Sequence, residues 1–534
     1  MKLRKLEIGE FKNLRNFSVD FSQKLTTVLL GQNGCGKSNL LEALIIIFRD
    51  LDLGEAPAFK YKLDYECRGN EIHIDADPTR SKNKREQIQI TVRERASGFG
   101  LFRELRTIPY TQFYSDSERR YLPSYVFGYY SGPSNRMEKH FDKHQERFYR
   151  DLLDGKEQAQ RPLLYARPVH SQFALLSFFI EEEQHLAGGE QSIREFLNEL
   201  LGIQELISVL FIMRQPPWTS KQGDARFWHA RGVVRDLLAH LYQIALAPMR
   251  LKVRTSTEFA SDKTLEHLYL YLRGAEDLKK LFSHYGNQQA FFKALESTYI
   301  SKVLSEVRIR LKRSDADGNL TFRDLSEGEQ QLLMVLGLLR FTKEDEALFL
   351  LDEPDTHLNP AWSVRYLEFM QRVVGEQPTS HVIMTTHNPL VIAGMEREDV
   401  RIMQHRKTGI FVEQPRENPR GMGVAGILTS ELFGLRSSLD LPTQRLLDEQ
   451  RVLAAKEELT PEERHHLGDL TDKLDRLGFN TAEDDPDYAV FLKKLTERED
   501  PAIREQAFLT PEQQEERARL IDEILSEMIA EGRL

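Results

Sequence analysis

Residues 25–38 read Leu25-Thr-Thr-Val-Leu-Leu30-Gly31-Gln32-Asn33-Gly34-Cys35-Gly36-Lys37-Ser38, and this stretch decides the fold. Its first six residues carry no charge and suit a strand buried in a parallel sheet. The next eight match G-x-x-x-x-G-K-S, and from Ser38 to Arg49 apolar residues recur at helical spacing. Strand, glycine loop and helix in that order are the setting in which the motif cradles phosphate. The glycines let the loop close with backbone N–H groups turned inward, and the helix start adds a positive dipole end. Lys37 is expected to reach the β- and γ-phosphates of ATP, and the Ser38 hydroxyl to ligate Mg²⁺. Gly31 to Asn39 is thus the candidate ATP-binding segment. Cys35, inside it, reads as a small loop residue rather than a reactive thiol.

Two motifs downstream carry further chemistry. In Leu348-Phe-Leu-Leu-Asp352-Glu353 an apolar run delivers two carboxylates to a strand end. Asp352 is expected to hold Mg²⁺, and Glu353 to polarise the attacking water. Shortly before it, Leu325-Ser326-Glu327-Gly328-Glu329-Gln330 opens a helix. A Ser and a Gly at a helix start make a second anion site, with free N–H groups and a hydroxyl donor.

Composition sets the frame around these motifs. The chain has 534 residues, of which 40% are hydrophobic and 29% charged, so a folded globular protein is expected and global disorder is not. The length suggests about three or four units. Cys35 and Cys67 are the only cysteines, which excludes a disulfide framework and points to reducing cytoplasm. The longest apolar run, Ala43 to Phe48, is far short of the roughly 20 residues needed to span a bilayer. The net charge of -10 is uneven: residues 441–534 hold 13 Lys+Arg against 24 Asp+Glu, leaving 60 against 59 in residues 1–440.

Lys2–Ile8 and Phe17–Phe21 alternate and read as strands, and the short alternating segments Glu71–Asp75, Gln87–Glu94 and Leu101–Arg106 predict an antiparallel sheet. Ser124–Tyr130 and His381–Met384 read as strands, and Val307–Lys312 with Leu320–Phe322 as a hairpin about Asp317-Gly318. Residues 133–306 read as a helical insertion. From Pro442 the chain is charged and helical. Thr460-Pro-Glu-Glu and Thr510-Pro-Glu-Gln mark two helix starts there.

The motif at Leu325–Gln330 resembles the LSGGQ signature of the ABC ATPase superfamily, with Glu327 in place of a Gly. The order of motifs agrees: phosphate loop, signature, Asp-Glu strand, then Thr385-Thr-His387-Asn388-Pro389. The resemblance implies that His387 senses the γ-phosphate, and that Asp355 in Pro354-Asp355-Thr-His-Leu-Asn-Pro360 belongs to a D-loop on a dimer seam. It also implies head-to-tail pairs in which the signature of one subunit completes the ATP site of the other. The family's linking glutamine has no anchored counterpart, and Gln172 is the weak candidate. The start, Leu6-Glu-Ile-Gly-Glu-Phe11-Lys12-Asn13, resembles the SMC and RecF branch, for which DNA is a partner.

Ser131-Gly-Pro-Ser-Asn-Arg136-Met-Glu138, Leu164-Tyr-Ala-Arg167 and Asp484-Asp-Pro-Asp-Tyr-Ala-Val-Phe-Leu492 are similar to the stand-alone ATPases of Septu and retron-linked Septu anti-phage systems. That resemblance implies an HNH nuclease partner (PtuB-like), with a reverse transcriptase and its RNA–DNA product in the retron form. The expected fold is α/β: an ABC-type P-loop core of mixed sheet, helices and an antiparallel β subdomain, with a helical insertion and a helical appendage. The expected divisions are 1–132 for the lobe with the phosphate loop, 133–306 for the insertion, 307–440 for the lobe with signature and His387, and 441–534 for an acidic docking tail. In that tail Tyr488, Phe491, Leu492 and Leu495 share a helical face suited to a partner groove or to packing on the core. Two alternatives stand beside this reading. One is a DNA-repair ATPase of RecF or SMC type, with Arg80, Lys82, Lys84 and Arg85 as DNA contacts. The other is a nucleotide switch without hydrolysis, against which Glu353 argues.

Overall fold

The uncharged run Thr26–Leu30 forms a fully buried strand with parallel neighbours on both sides. It lies in a computed structural model that describes all residues except 23, 95–103, 117, 156–161, 181–192, 219–221, 258–259, 315–318, 342–345, 375–378, 408, 457, 479–485, 501–508 and 534. Strands are numbered in chain order, and Thr26–Leu30 is β3. The central sheet runs β18 (Gly409–Glu413), β17 (Val400–Arg406), β3, β16 (His381–Thr385), β15 (Ala347–Asp352), β8 (Tyr125–Tyr130), β9 (Leu163–Tyr165). All neighbours are parallel except β18.

Parallel interior strands are buried on both faces, which is why β3, β15 and β16 read as unbroken apolar runs. Along β15, Leu348 and Leu350 enter one hydrophobic core, and Phe349 and Leu351 enter another. The first core lies under a six-stranded antiparallel sheet of order β2 (Leu14–Asp20), β1 (Lys2–Phe11), β4 (Tyr61–Cys67), β5 (Asn70–Ala76), β6 (Ile88–Arg93), β7 (Arg106–Ile108). Of the segment Leu101–Arg106, residues 101–103 lie outside the described residues, and the strand begins at Arg106. The second core joins the central sheet to the insertion and to the helix Glu327–Phe341.

The insertion expected to be helical over 133–306 is helical only in part. It carries the helices Asp142–Leu153, Pro168–Ile180, Ile193–Leu201, Gly232–Ile244, Ala275–Phe282 and Gln288–Ile300. It also carries three long strands: β10 (Ile203–Arg214), β11 (Leu246–Thr257) and β12 (Ala260–Leu272). With β13 (Leu304–Arg313) and β14 (Asn319–Thr321) they build an antiparallel sheet of order β11-β12-β10-β13-β14. The physical reason is that a short apolar run such as Leu206–Met213 does not declare its period when both faces are largely buried. The hairpin β13–β14 forms as expected from sequence, though residues 315–318 of its turn lie outside the described residues.

The C-terminal residues form helices Leu441–Ala454, Pro461–Arg476, Pro486–Arg498 and Pro511–Ala530. Thr460 and Thr510 each make a capping box, with Glu463 and Gln513 reaching back to the cap N–H. Arg498 makes two 2.8 Å hydrogen bonds to Glu527, and Arg517 meets Glu499 at 2.9 Å, so ion pairs tie the last two helices together. Phe491, Leu492 and Leu495 are half-buried, whereas Tyr488 is 47% exposed and its ring stacks near Phe491. Asp484 and Asp485 lie outside the described residues. No helix among the described residues is long and apolar enough to cross a membrane.

Candidate functional site

The strand order places β3, β16 and β15 side by side. Adjacent strands are about 4.8 Å apart, so whatever follows their C-terminal ends is brought together. Those ends lead into the phosphate loop, His387 and the pair Asp352–Glu353. In open parallel sheets ligands bind at this edge.

Gly34 and Gly36 have φ of 84° and 95°, the left-handed backbone that glycine adopts without penalty. They turn the chain into the helix Lys37–Leu53. The Lys37 ammonium is buried and donates to the carbonyls of Gly31 (2.6 Å) and Gln32 (3.2 Å). Burial lowers its pKa, against the pull of Cys35, Glu353 and Asp352. Burial also pushes the Cys35 thiol up, so it is a poor nucleophile in this loop. From outside, Asn13 donates to the Gly34 carbonyl (2.9 Å), and Asn39 donates to Asn13 (2.6 Å).

Asp352 is 2% exposed. Its Oδ1 accepts from Thr385 Oγ1 at 2.5 Å, while its Oδ2 is buried without a hydrogen-bond partner among the described residues. A buried carboxylate oxygen left unpaired is costly, and a divalent cation is the ligand whose chemistry it fits. Asp352 and the half-buried Ser38 at the loop's helix start are the donors such an ion would take. Held there, a divalent cation would supply charge neutralisation on phosphate oxygens.

Glu353 has φ of 52°, left-handed for a residue with a Cβ. Its N–H donates to Thr385 Oγ1 (3.0 Å), which holds that conformation. Its Oε1 lies 2.9 Å from His387 Nε2. Burial lowers the His387 pKa and the Lys37 charge adds to this, while Glu353 opposes it. A neutral ring must carry its proton on Nε2 to donate here, which leaves Nδ1 as an acceptor. Strained backbone of this kind, about 1–3 kcal/mol each, clusters at functional sites.

The segment Pro354–Pro360 lies against the segment Leu325–Gln330. Asp355 is buried, accepts from Thr386 Oγ1 (2.6 Å), and has its pKa raised by burial to about 6. Ser326 and Glu329 cap each other: Ser326 N–H donates to Glu329 Oε2 (2.6 Å), and Glu329 N–H to Ser326 Oγ (3.3 Å). Glu329 also pairs with Arg313 at 2.9 Å. Gln330 donates to the Leu325 carbonyl, and exposed Glu327 faces His357 Nδ1 at 3.5 Å. A Cβ on Gly328 would lie 2.3 Å from the His357 carbonyl oxygen, so only glycine allows the two segments to approach this closely.

Gln172 is not brought to the catalytic strands. It sits in the helix Pro168–Ile180, which follows outer strand β9 and packs on the helix Glu327–Phe341. At the end of β8, next to β15, the chain carries Ser131 to Arg136 instead. Arg136 donates to Asn39 (2.5 Å) and Glu42 (3.0 Å). Glu42 is a residue the motifs do not reveal. Burial alone would raise its pKa, but hydrogen bonds from His140, Lys12 and Arg136 outweigh it and hold it down at about 2. Its partners lie 30 to 98 residues away, so no local pattern announces it.

The phosphate loop at the carboxyl edge of the parallel strands, with the Asp352–Glu353 strand end beside it, is the arrangement that P-loop ATPases use. Two family models match: "AAA ATPase domain" over residues 1–160, and "AAA domain, putative AbiEii toxin, Type IV TA system" over residues 226–393. Among named proteins, the chain resembles the Septu protein PtuA of Bacillus mycoides (strain KBAB4), at 28% identity over 196 residues, 34% of this chain and 27% of that protein. It is also similar to the probable peptide export ATP-binding protein YydI of Bacillus subtilis (strain 168), at 26% identity over 21% of this chain and 52% of that protein. The matched residues thus span about a quarter and about half of these relatives. Solved structures that match include an Smc head bound to the C-winged helix domain of ScpA (13% identity, 78% of this chain, 98% of that one, TM-score 0.33). Another is RecF-ATP of the RecFOR pathway (14% identity, 78% and 97%, TM-score 0.28). At those scores neither bears on function.

Proposed function

We propose that the chain is the Mg²⁺-dependent, ATP-hydrolysing subunit of a Septu-type anti-phage system in the cytoplasm, holding and regulating an HNH nuclease that does the cutting. The observation that carries the ATPase reading is the Glu353–His387 pair beside Lys37 and the unpaired Asp352 oxygen. The similarity to PtuA supports the defence assignment.

In this reading Gly31–Asn39 binds the phosphates of ATP, and Lys37 exchanges the Gly31 and Gln32 carbonyls for phosphate oxygens. Glu353 polarises water, and His387 orients the Glu353 carboxylate through Nε2–H. Ser326 and Gly328, with Leu325, Glu327, Glu329 and Gln330 around them, present a helix start to the ATP of a second copy, and Asp355 steadies the seam. ATP then favours the closed pair and its hydrolysis releases it. The acidic residues 441–534 are the docking tail for the nuclease. In a retron-linked system the reverse transcriptase and its RNA–DNA product are further partners.

Phosphate release tests the first half. Glu353→Gln is expected to slow turnover by about 10²–10⁴ while ATP still binds, and Ser326→Arg to block pairing. Turnover by Glu353→Gln at the parental rate sinks the catalytic assignment. Co-purification with a co-expressed HNH protein, lost on removal of residues 441–534, tests the second half; reproducible failure to associate removes the nuclease reading.

A further inference from the structure

We propose that the outer face of the five-stranded sheet binds single-stranded nucleic acid. Along β13, Val307, Ile309 and Leu311 are buried, while Arg308, Arg310 and Lys312 between them are exposed. Along β12, Leu268, Leu270 and Leu272 are buried, while Tyr269 is half-buried and Tyr271 is 37% exposed. Register fixes which residues share the outer face. Leu210 of β10 pairs with Tyr271 on one side and Arg308 on the other. Across the far edge, Leu246 pairs with Tyr271 and Met249 with Tyr269. Leu246 and Met249 are both about half exposed. The opposite face carries the buried residues of β10, β12 and β13, which join the same core as the insertion helices. The outer face therefore carries a cationic row and an aromatic row at its two sides, with Ser208 and Ile212 of β10 buried between them.

The spacing of the rows selects the occupant. Side chains two apart on one strand face the same way and repeat every ~6.7 Å. Cations on β13 and rings on β12 repeat at the same interval: Arg308 lies level with Tyr271 across Leu210, and Arg310 and Lys312 carry the cationic row on past the rings. The rows are separated by β10 alone, roughly 10 Å from strand to strand, a distance that long Arg and Lys side chains narrow. Unpaired bases stack on such rings whatever their sequence. A duplex hides its base faces and offers a flat sheet nothing to stack on. Glu306 binds Arg308 and Arg323, and Arg310 and Lys312 are the further exposed cations of the row. An acidic peptide could neutralise the cations but would leave the aromatic row without a use, so it is treated as the competing outcome. The inference does not depend on the defence reading.

The experiment is fluorescence anisotropy of the full chain with a labelled 20-mer of thymidylate and a duplex of equal length, over a range of salt. The single strand is expected to bind more tightly. Tyr271→Ala should weaken it roughly tenfold, and Arg310→Gln with Lys312→Gln should flatten the log–log salt slope by about 1.4. ATP turnover and circular dichroism should stay at parental values, because these residues are exposed and outside the nucleotide site. Equal binding of duplex and single strand overturns the proposal, as do variants that bind like the parent. If the variants instead lose self-association in sedimentation while oligonucleotide affinity is unchanged, the face joins copies of the chain and the proposal is wrong.

Discussion

Asp355 should make the stability of the C-terminal ATPase lobe depend on pH. Its pKa rises from 3.8 to about 6, chiefly because burial disfavours the charged form, with the nearby Glu353 charge acting the same way against the hydrogen bond from Thr386. Between those two values the unfolded chain has lost the proton that the folded chain still holds. The native state therefore binds more protons, and stability falls as pH rises through that window. A shift of about two units is worth about 3 kcal/mol at most, at 1.36 kcal/mol per unit. Above pH 6 the folded protein carries the buried charge and the full loss is present. Asp355→Asn keeps an acceptor for Thr386 and removes the charge. It should match the parent at pH 4 and exceed it by up to about 3 kcal/mol at pH 8. Guanidinium unfolding followed by tryptophan fluorescence measures this, with Trp362 seven residues further along the same segment. The difference between the two proteins at each pH cancels every other titrating group. If their midpoints differ equally at pH 4 and pH 8, the buried charge is not on Asp355. ATP turnover of the stabilised variant should nonetheless fall.

Lys37→Ala should weaken binding of a fluorescent ATP analogue at least tenfold while far-UV circular dichroism is unchanged. Gly328→Ala puts a Cβ 2.3 Å from the His357 oxygen; overpacking of this kind costs about 1–3 kcal/mol and should appear as both a lower melting temperature and slower phosphate release. Glu42→Ala strips one carboxylate from Lys12, Arg136 and His140. Breaking such a buried set costs about 3–5 kcal/mol. Because the folded pKa of Glu42 is depressed from 4.5 to about 2, its stabilisation is present above pH 4.5 and fades as pH falls toward 2, so variant and parent should converge in acid. A gap that is unchanged at pH 2 argues that the loss is packing alone.

The chemistry of the site was legible because each motif is local. A phosphate loop needs eight consecutive residues, and a strand that ends in Asp352-Glu353 is written in six. The helix starts at Thr460 and Thr510 were legible for the same reason, since a capping box closes within four residues. The insertion was not. Its strand β11 does alternate over Leu251-Lys-Val-Arg-Thr, yet the helical segments on either side dominate the reading. Long-range geometry was hidden altogether. Nothing in Gly328 foretells the His357 carbonyl, and Glu42 looks like one more acidic residue on an amphipathic helix until three distant cations converge on it. Gln172, a residue type sought by analogy, sits on the helix Pro168–Ile180 beyond outer strand β9.

The ion pair between Arg313 and Glu329 joins the end of β13 to the cap of the signature helix. The strand with the exposed cations is thereby tied to the helix start whose Ser326 hydroxyl, in the proposed pairing, would meet the ATP of another copy. Energetic traffic along that strand must run both ways. If a ligand on the sheet tightens the closed pair by some factor, ATP in the closed pair tightens that ligand by the same factor. The sheet and the nucleotide site would then form one balance, and weighing either pan would report the load on the other.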